Sequence, residues 1–456
     1  MQMKRRHWFY ILFGVSVLIR LWFSFSMELI PGMNGGYYPV QVRSILENGQ
    51  LGFPDFPLYF YVLALFSKLF SLFGVEMTGD DLIVLIKIVE AIALPLLLWP
   101  LYKMDLKLKW SVQCILGVFL VFGTGSLMMF GDFQKNAFAL PFIWFFIWKF
   151  RDYLLHENRK DLFQSLVFLL IVGLTHFGAF SVSVVFLMSG LLFKFRKKAL
   201  VPMLLAMSGL IALSYLFDAK RTMRLFESLA SIFIRSNGKG PGGFFINPPD
   251  IAAILLMIFL MIVFIRNRKA IVNHHRKVFL YASLLTGVLF SFPVFAQDFY
   301  MRLGLMAGIF QVLVFVELFP YMNIRFSGIV QGTMILIVIV GIPMMVYMKQ
   351  PVISIAQKHQ LLRIAEVLQK ENGTKIIVTR HGLEWWTNWF TRIPVAQDRS
   401  MDASLFAEYD RVYLLKMKSD QHGPPMGMKN EEEPKFTVTD TLYNEEGASL
   451  VELAKK

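Results

Sequence analysis

Charge is scarce in this chain. Only 17% of its 456 residues are Asp, Glu, Lys or Arg, against about 25% in soluble globular proteins. Hydrophobic residues fill the deficit at 56%, with 45 Phe among them. A soluble core stops growing near about 250–300 residues. The surplus apolar surface must therefore face lipid, and the chain reads as a polytopic membrane protein. Cysteine is nearly absent: Cys114 stands alone in an apolar run, which excludes an intrachain disulfide framework and a cysteine-built metal centre. A small-residue cleavage site is missing behind the basic, then apolar, N-terminus, so that segment reads as an uncleaved first span. No internal repeat is visible, which gives an inverted-repeat transporter no support. The Gly-rich run 235–243 lacks the Lys-Ser/Thr ending of a nucleotide-binding loop.

A spanning helix needs about 20 apolar residues. Runs of that kind occupy 8–27, 81–101, 111–130, 161–175, 177–194, 199–217, 250–265, 277–295, 299–319 and 327–348, with a shorter aromatic one at 136–150. The expectation is thus a mainly α, polytopic bundle of about eleven spans over 1–348. Segment 57–74 is long enough to cross but contains Lys68, and it is read as an interfacial amphipathic helix.

The formal net charge is +14. Residues 349–456 hold 15 basic and 15 acidic groups, so the excess lies wholly within 1–348. Beside apolar spans, positive charge sets orientation more often than it binds nucleic acid, and no nucleic-acid partner is expected. With 57–74 kept out of the bilayer, 20 basic residues fall on the side of Lys4-Arg5-Arg6 and about 9 on the other. This places the N-terminus in the cytoplasm of a multi-pass protein of the cytoplasmic membrane and the C-terminal part outside. The external pieces are then the loops 28–80 and 218–249, three short turns, and 349–456. The last reads as a small α/β domain, with a helix over 354–371, strands at 375–379, 411–416, 435–443 and 448–453, and a charged Pro/Gly loop at 418–434.

Ionisable residues in or beside the spans are candidate functional groups. Lys87 and Glu90 stand three apart in the second span and can pair. Glu317, near the inner end of a span, is expected to snorkel to the cytoplasmic face. Asp298 and Arg302 have the spacing of a one-turn helical pair. His176 sits where two spans meet, in a place that suits either packing or chemistry. Trp385 and Trp389 share a helical face, fit for sugar stacking, anchoring or packing.

The first external loop carries Gly36-Tyr37-Tyr38, then Arg43-Ser-Ile-Leu-Glu47-Asn-Gly49, then Pro57-Leu-Tyr59. In that order these words resemble the GT-C superfamily of membrane glycosyltransferases, which includes protein O-mannosyltransferases, aminoarabinose transferases and oligosaccharyltransferase catalytic subunits. The resemblance covers residues 1–150 best. It implies transfer of a sugar from a polyprenyl-phosphate donor to a protein or glycan acceptor at the outer membrane face. The family places an acid just before the tyrosines, where this chain has Asn34-Gly35, and an amide cannot serve as a general base. Glu28, Asp55 and Asp132 are the replacements. Asp132, in Phe130-Gly-Asp-Phe-Gln-Lys135, matches the family's second acidic motif and is the preferred acid/base, although a helix cap explains it equally well. Cations at the phosphate would come from Arg43, Lys135, Arg221, Arg224 and Arg302, with Asn34, Tyr37, Asp55, Lys87, Glu90 and His176 lining the substrate. No cofactor is required; a divalent metal on Asp132 and a second acid is possible by the same resemblance. Two rival readings remain: a non-catalytic protein of this fold that binds glycolipid or a partner enzyme, and a lipid or solute transporter.

Overall fold

The computed structural model describes residues 2–104, 108–195, 248–292, 302–398, 404–418, 436–445 and 447–455, with scattered positions between 201 and 223 and Met401. The chain forms two compact units. The first comprises 1–23, 53–63 and 87–348, and the second 24–52, 64–86 and 349–456.

The first unit is helical. It contains most of α1 (Gln2–Phe25), the start of α3 (Leu58–Leu72) and the end of α4 (Asp80–Ala93), which runs on through a 3-10 turn at Leu94–Leu97 into α5 (Leu98–Lys103). Pro95 accounts for that turn, because it cannot donate to the helical ladder. Then follow α6 (Trp110–Phe122), α7 (Thr124–Met128), α8 (Gln134–His156), α9 (Arg159–Thr175), α10 (Phe177–Phe195), α11 (Pro248–Asn267), α12 (His274–Ser291), α13 (Ala307–Leu318) and α14 (Ile324–Met348). Phe146, Phe150, Phe186, Phe279 and Phe310 interlock in its core, mostly edge-on or tilted, the arrangement that ring quadrupoles favour. Gly190 lets α10 approach α8, since a Cβ there would lie 2.6 Å from the Phe150 ring.

Helix α1 shows its lipid-facing and inward stripes plainly. Ile11, Leu18 and Trp22 are exposed, while Trp8, Phe9, Ser16, Arg20 and Phe23 are buried. The alternation has the helical period. An arginine on the buried side is the anomaly, and it bears on the site described below.

Six helices among the described residues are long and apolar enough to cross a bilayer: His7–Phe25, Asp80–Lys103, Trp110–Met128, Phe177–Phe195, Arg302–Tyr321 and Ile324–Pro343, so the expected count of eleven is not reached among these residues. The expected spans at 136–150, 161–175, 250–265 and 277–295 do form helices, α8, α9, α11 and α12. The expected span 199–217 lies largely outside the described residues. The chain is a multi-pass membrane protein with a small C-terminal sheet.

Glu317 departs from expectation. It is 3% exposed, accepts a hydrogen bond from Arg151 Nε at 3.0 Å and has Arg276 Nε 3.2 Å away. It ties α8, α12 and α13 together from inside the bundle and does not snorkel. Two guanidinium groups supply the neutralisation that a buried carboxylate needs.

The second unit holds α2 (Tyr37–Asn48), α15 (Ile355–Gln369), α16 (Leu383–Thr391), α17 (Leu405–Glu408) and a five-stranded sheet of order β2-β1-β3-β5-β4. Its strands are β1 (Lys375–Thr379), β2 (Val395–Gln397), β3 (Arg411–Met417), β4 (Phe436–Glu445) and β5 (Ala448–Lys455). β1 pairs in parallel with β2 and β3, and β5 pairs antiparallel with β3 and β4. Ile376, Val378 and Val412 form the core of the sheet, against Leu405, Phe406 and Tyr409. The helix and four of the strands stand where the sequence places them, within two residues. β2, three residues long, was not anticipated, and most of the loop 418–434 lies outside the described residues. Gly32 bonds to Gln350 and bridges Pro351, joining the segment after α1 to the residues before α15.

Candidate functional site

In the first unit, polar groups converge on the turn between α7 and α8. Gly131 holds a φ of +75° there, which a side chain would strain. Its N–H donates to Glu90 Oε1 at 2.6 Å. Gln134, on the first turn of α8, donates from Nε2 to Glu90 Oε2 at 3.1 Å and accepts from the Tyr59 hydroxyl at 2.9 Å. Lys135 pairs with Asp55, whose other oxygen accepts the Phe56 N–H at 2.8 Å. Asp55, Lys87, Glu90, Gln134 and Lys135 are each less than a tenth exposed.

Such a buried network persists only where its members satisfy one another. Through Gly131 and Gln134, Glu90 is bonded to both sides of the Asp132 turn. Asp132 itself is half-buried. Its backbone N–H bonds to Phe130, and the N-cap position of α8 is Phe133, with no side-chain cap.

His176 ends α9, and its Nδ1 accepts the Ala179 N–H at 3.1 Å, capping the start of α10. With Nδ1 an acceptor, a neutral ring carries its proton on Nε2. Phe177, next in sequence, stacks on Phe56 at 6.0 Å, so His176 and Asp55 each neighbour one ring of that pair. Arg302 is exposed at the start of its helix. Asp298, Arg221 and Arg224 lie outside the described residues.

Three expected site residues belong to the second unit. Asn34 accepts the Tyr37 N–H at 3.0 Å through its backbone carbonyl, in the turn that starts α2. Gly35 in that turn admits no side chain, since a Cβ would stand 2.2 Å from the Ile30 carbonyl oxygen. Tyr37 packs edge-on against Trp385 at 4.8 Å. Arg43 donates to the carbonyl oxygens of Trp389 at 2.8 Å and Asn388 at 3.0 Å, and lies 4.8 Å from the Trp389 ring. Burial lowers its pKa from the usual guanidinium value; Glu47 opposes that shift and Arg392 adds to it. Arg43 thus braces the C-terminal end of α16, where the Asn388 carbonyl also accepts the Arg392 N–H. A cavity of about 630 Å³ opens beside it, lined among others by Glu47, Asp80, Lys358, Phe390 and Arg392. Glu28 is ion-paired with Lys358.

Sequence reasoning missed Arg20. It lies on α1 with its guanidinium carbon 5.0 Å from the Phe130 ring centroid, within the electrostatic field of Glu90. The signal was present, since a charge inside a span deserves the same reading as Lys87 and Glu90. Tyr59 and Gln134 were missed as well, because neutral polar side chains carry no such flag. Among the described residues no three His, Cys, Asp or Glu side chains gather as a metal site would require. Asp55 is already neutralised by Lys135.

The sequence matches no protein-family profile and no curated protein. Its fold does have solved counterparts. The structure of ArnT from Cupriavidus metallidurans bound to undecaprenyl phosphate superposes with a TM-score of 0.53 at 10% identity, covering 97% of each chain. The apo structure of the same protein gives the same values. Over 97% of its length the chain therefore shares the fold of ArnT.

Proposed function

We propose that this protein is a membrane glycosyltransferase that moves a sugar from a polyprenyl-phosphate donor to an acceptor at the outer face of the cytoplasmic membrane. The observation that carries the reading is the fold. It is shared over 97% of the chain with a protein solved in complex with undecaprenyl phosphate. The polar cluster of the first unit supports it, because it supplies the groups such a transfer requires.

In the proposed reaction, the acceptor oxygen attacks the anomeric carbon as the bond from that carbon to the phosphate oxygen breaks. The acceptor proton passes to a carboxylate, and the phosphate leaves with the bonding pair. Asp132 is the proposed acid/base. Glu90 acts through the backbone of the Gly131 turn and through Gln134, holding Asp132 in place. Cationic side chains stabilise the charge that grows on the leaving phosphate. The pairing of Asp55 with Lys135 orients the lysine without adding net charge. The reaction so drawn needs no metal.

The transporter reading loses one of its path-lining groups, since Glu317 is locked by Arg151 and Arg276. The non-catalytic reading retains the Asn34-Gly35 turn in its favour. One experiment separates these. A strain lacking the protein should accumulate a polyprenyl-phosphate-linked sugar, measured by lipid mass spectrometry. Wild-type protein should clear the pool, and Asp132→Asn at equal expression should not. An unchanged pool in the deletion strain would remove the transferase reading. Full clearance by Asp132→Asn would remove Asp132 from the chemistry.

A further inference from the structure

We infer that Arg20 is the guanidinium that receives the phosphate group of the ligand, an assignment that deepens the transferase reading and takes its lipid from it. Arg20 is 2% exposed, inside a helix that crosses the membrane. Its Nε, Nη1 and Nη2 have no hydrogen-bond partner among the described residues, and neither has Ser16 Oγ one turn earlier on the same buried face. A guanidinium offers five N–H donors. Leaving them buried and unmatched is among the most destabilising arrangements a protein can hold. Intramembrane charge that persists under that penalty marks a functional group.

Glu90 does not resolve the deficit. It feels the charge of Arg20, yet its two oxygens take their bonds from Gly131 and Gln134. Phe130 covers the guanidinium from one side at 5.0 Å. A cation over a ring still has its in-plane N–H groups for an acceptor.

The unmatched donors point to the kind of acceptor. Arg20, Lys87 and Lys135 stand against Asp55, Glu90 and the half-buried Asp132, so it is the open N–H groups of Arg20, not a surplus of charge, that call for an oxygen-rich ligand. A phosphodiester carries one negative charge, and its paired oxygens match the planar fork of arginine. Phe130 lies two residues before Asp132, so a phosphate on Arg20 would sit beside the proposed acid/base turn.

The test is thermal unfolding of the purified full chain in detergent, for wild type, Arg20→Leu and Arg20→Lys. Each is measured alone and with undecaprenyl phosphate, inorganic phosphate or dioleoyl phosphatidylglycerol. Without additive, Arg20→Leu should unfold at a higher temperature than wild type, because removing an unmatched buried charge relieves strain. Undecaprenyl phosphate should raise the wild-type midpoint by several degrees. That shift should vanish in Arg20→Leu and shrink in Arg20→Lys. Should Arg20→Leu fail to fold, native mass spectrometry on Arg20→Lys should show binding weakened about tenfold or more. A shift that survives in both variants, or undiminished binding by Arg20→Lys, overturns the assignment and leaves the transferase reading standing. An Arg20-dependent shift produced by inorganic phosphate or phosphatidylglycerol but not by undecaprenyl phosphate supports a phosphate site at Arg20 and counts against the lipid-donor reading.

Discussion

The pairing of Lys135 with Asp55 makes the clearest residue-level claim on stability. Both side chains are nearly buried, so breaking the pair strands a charge. Lys135→Met should destabilise the protein by about 3–5 kcal/mol, and a second change, Asp55→Leu, should recover a large part of that. Unfolding of single and double variants in detergent checks this, and equal loss in both would show that the pair is not the cause. Asp55 and Lys135 were legible in the sequence because charges flanking apolar runs stand out. Their pairing was not, since 80 residues separate them. Arg43 was legible as a cation but not as a helix-end clamp, because backbone carbonyls leave no trace in the sequence. Asp410 supplies a residue-level pH effect. Its carboxyl is held below the ordinary value by hydrogen bonds from the Thr374 N–H and hydroxyl. A depressed carboxylate stabilises the fold above its unfolded value, near 3.9, and that contribution is lost as pH falls through the folded value. Asp410→Ala should therefore lower the unfolding temperature at neutral pH, with the gap to wild type closing in acid. A gap independent of pH would contradict this account.

Elements add a second layer. Helix α15 begins with a capping box, in which Ser354 accepts from the Gln357 N–H and the Gln357 side chain accepts from Ser354 N–H. Ser354→Ala should weaken this end by about 0.5–2 kcal/mol, read as faster hydrogen exchange confined to the first turn of α15. Exchange spread evenly over the helix would argue against a local cap. Apolar periodicity made the long helices and four of the strands visible, because each buries a face at regular spacing. β2 was invisible for the converse reason. Three residues, Val395–Gln397, are too few for a period to register, and the strand exists through its pairing with β1. The start of α2 follows the same logic of close approach: a Cβ on Gly36 would fall 2.9 Å from Trp386 N. Gly36→Val should thus loosen α16 and redden the tryptophan emission of the folded protein. A spectrum unchanged from wild type would show that the packing tolerates the side chain.

The whole molecule is where sequence reasoning reached furthest. The deficit of charge gave a membrane protein, and the word order of the first loop gave a GT-C resemblance that the ArnT fold bears out. Of the eleven expected spans, 136–150, 161–175, 250–265 and 277–295 form helices that are not among the six long and apolar enough to cross a bilayer in the described residues. The transferase account depends on which side of the bilayer the Gly131–Asp132 turn faces, because a donor and acceptor on the outer surface cannot use groups open only to the cytoplasm. The native chain simplifies the measurement, since Cys114 is its only cysteine. With Cys114 replaced by serine and Asp132 by cysteine, a membrane-impermeant maleimide should label the new thiol in intact cells and in right-side-out vesicles. Labelling confined to inverted vesicles would contradict the proposed site and, with it, the direction of the reaction.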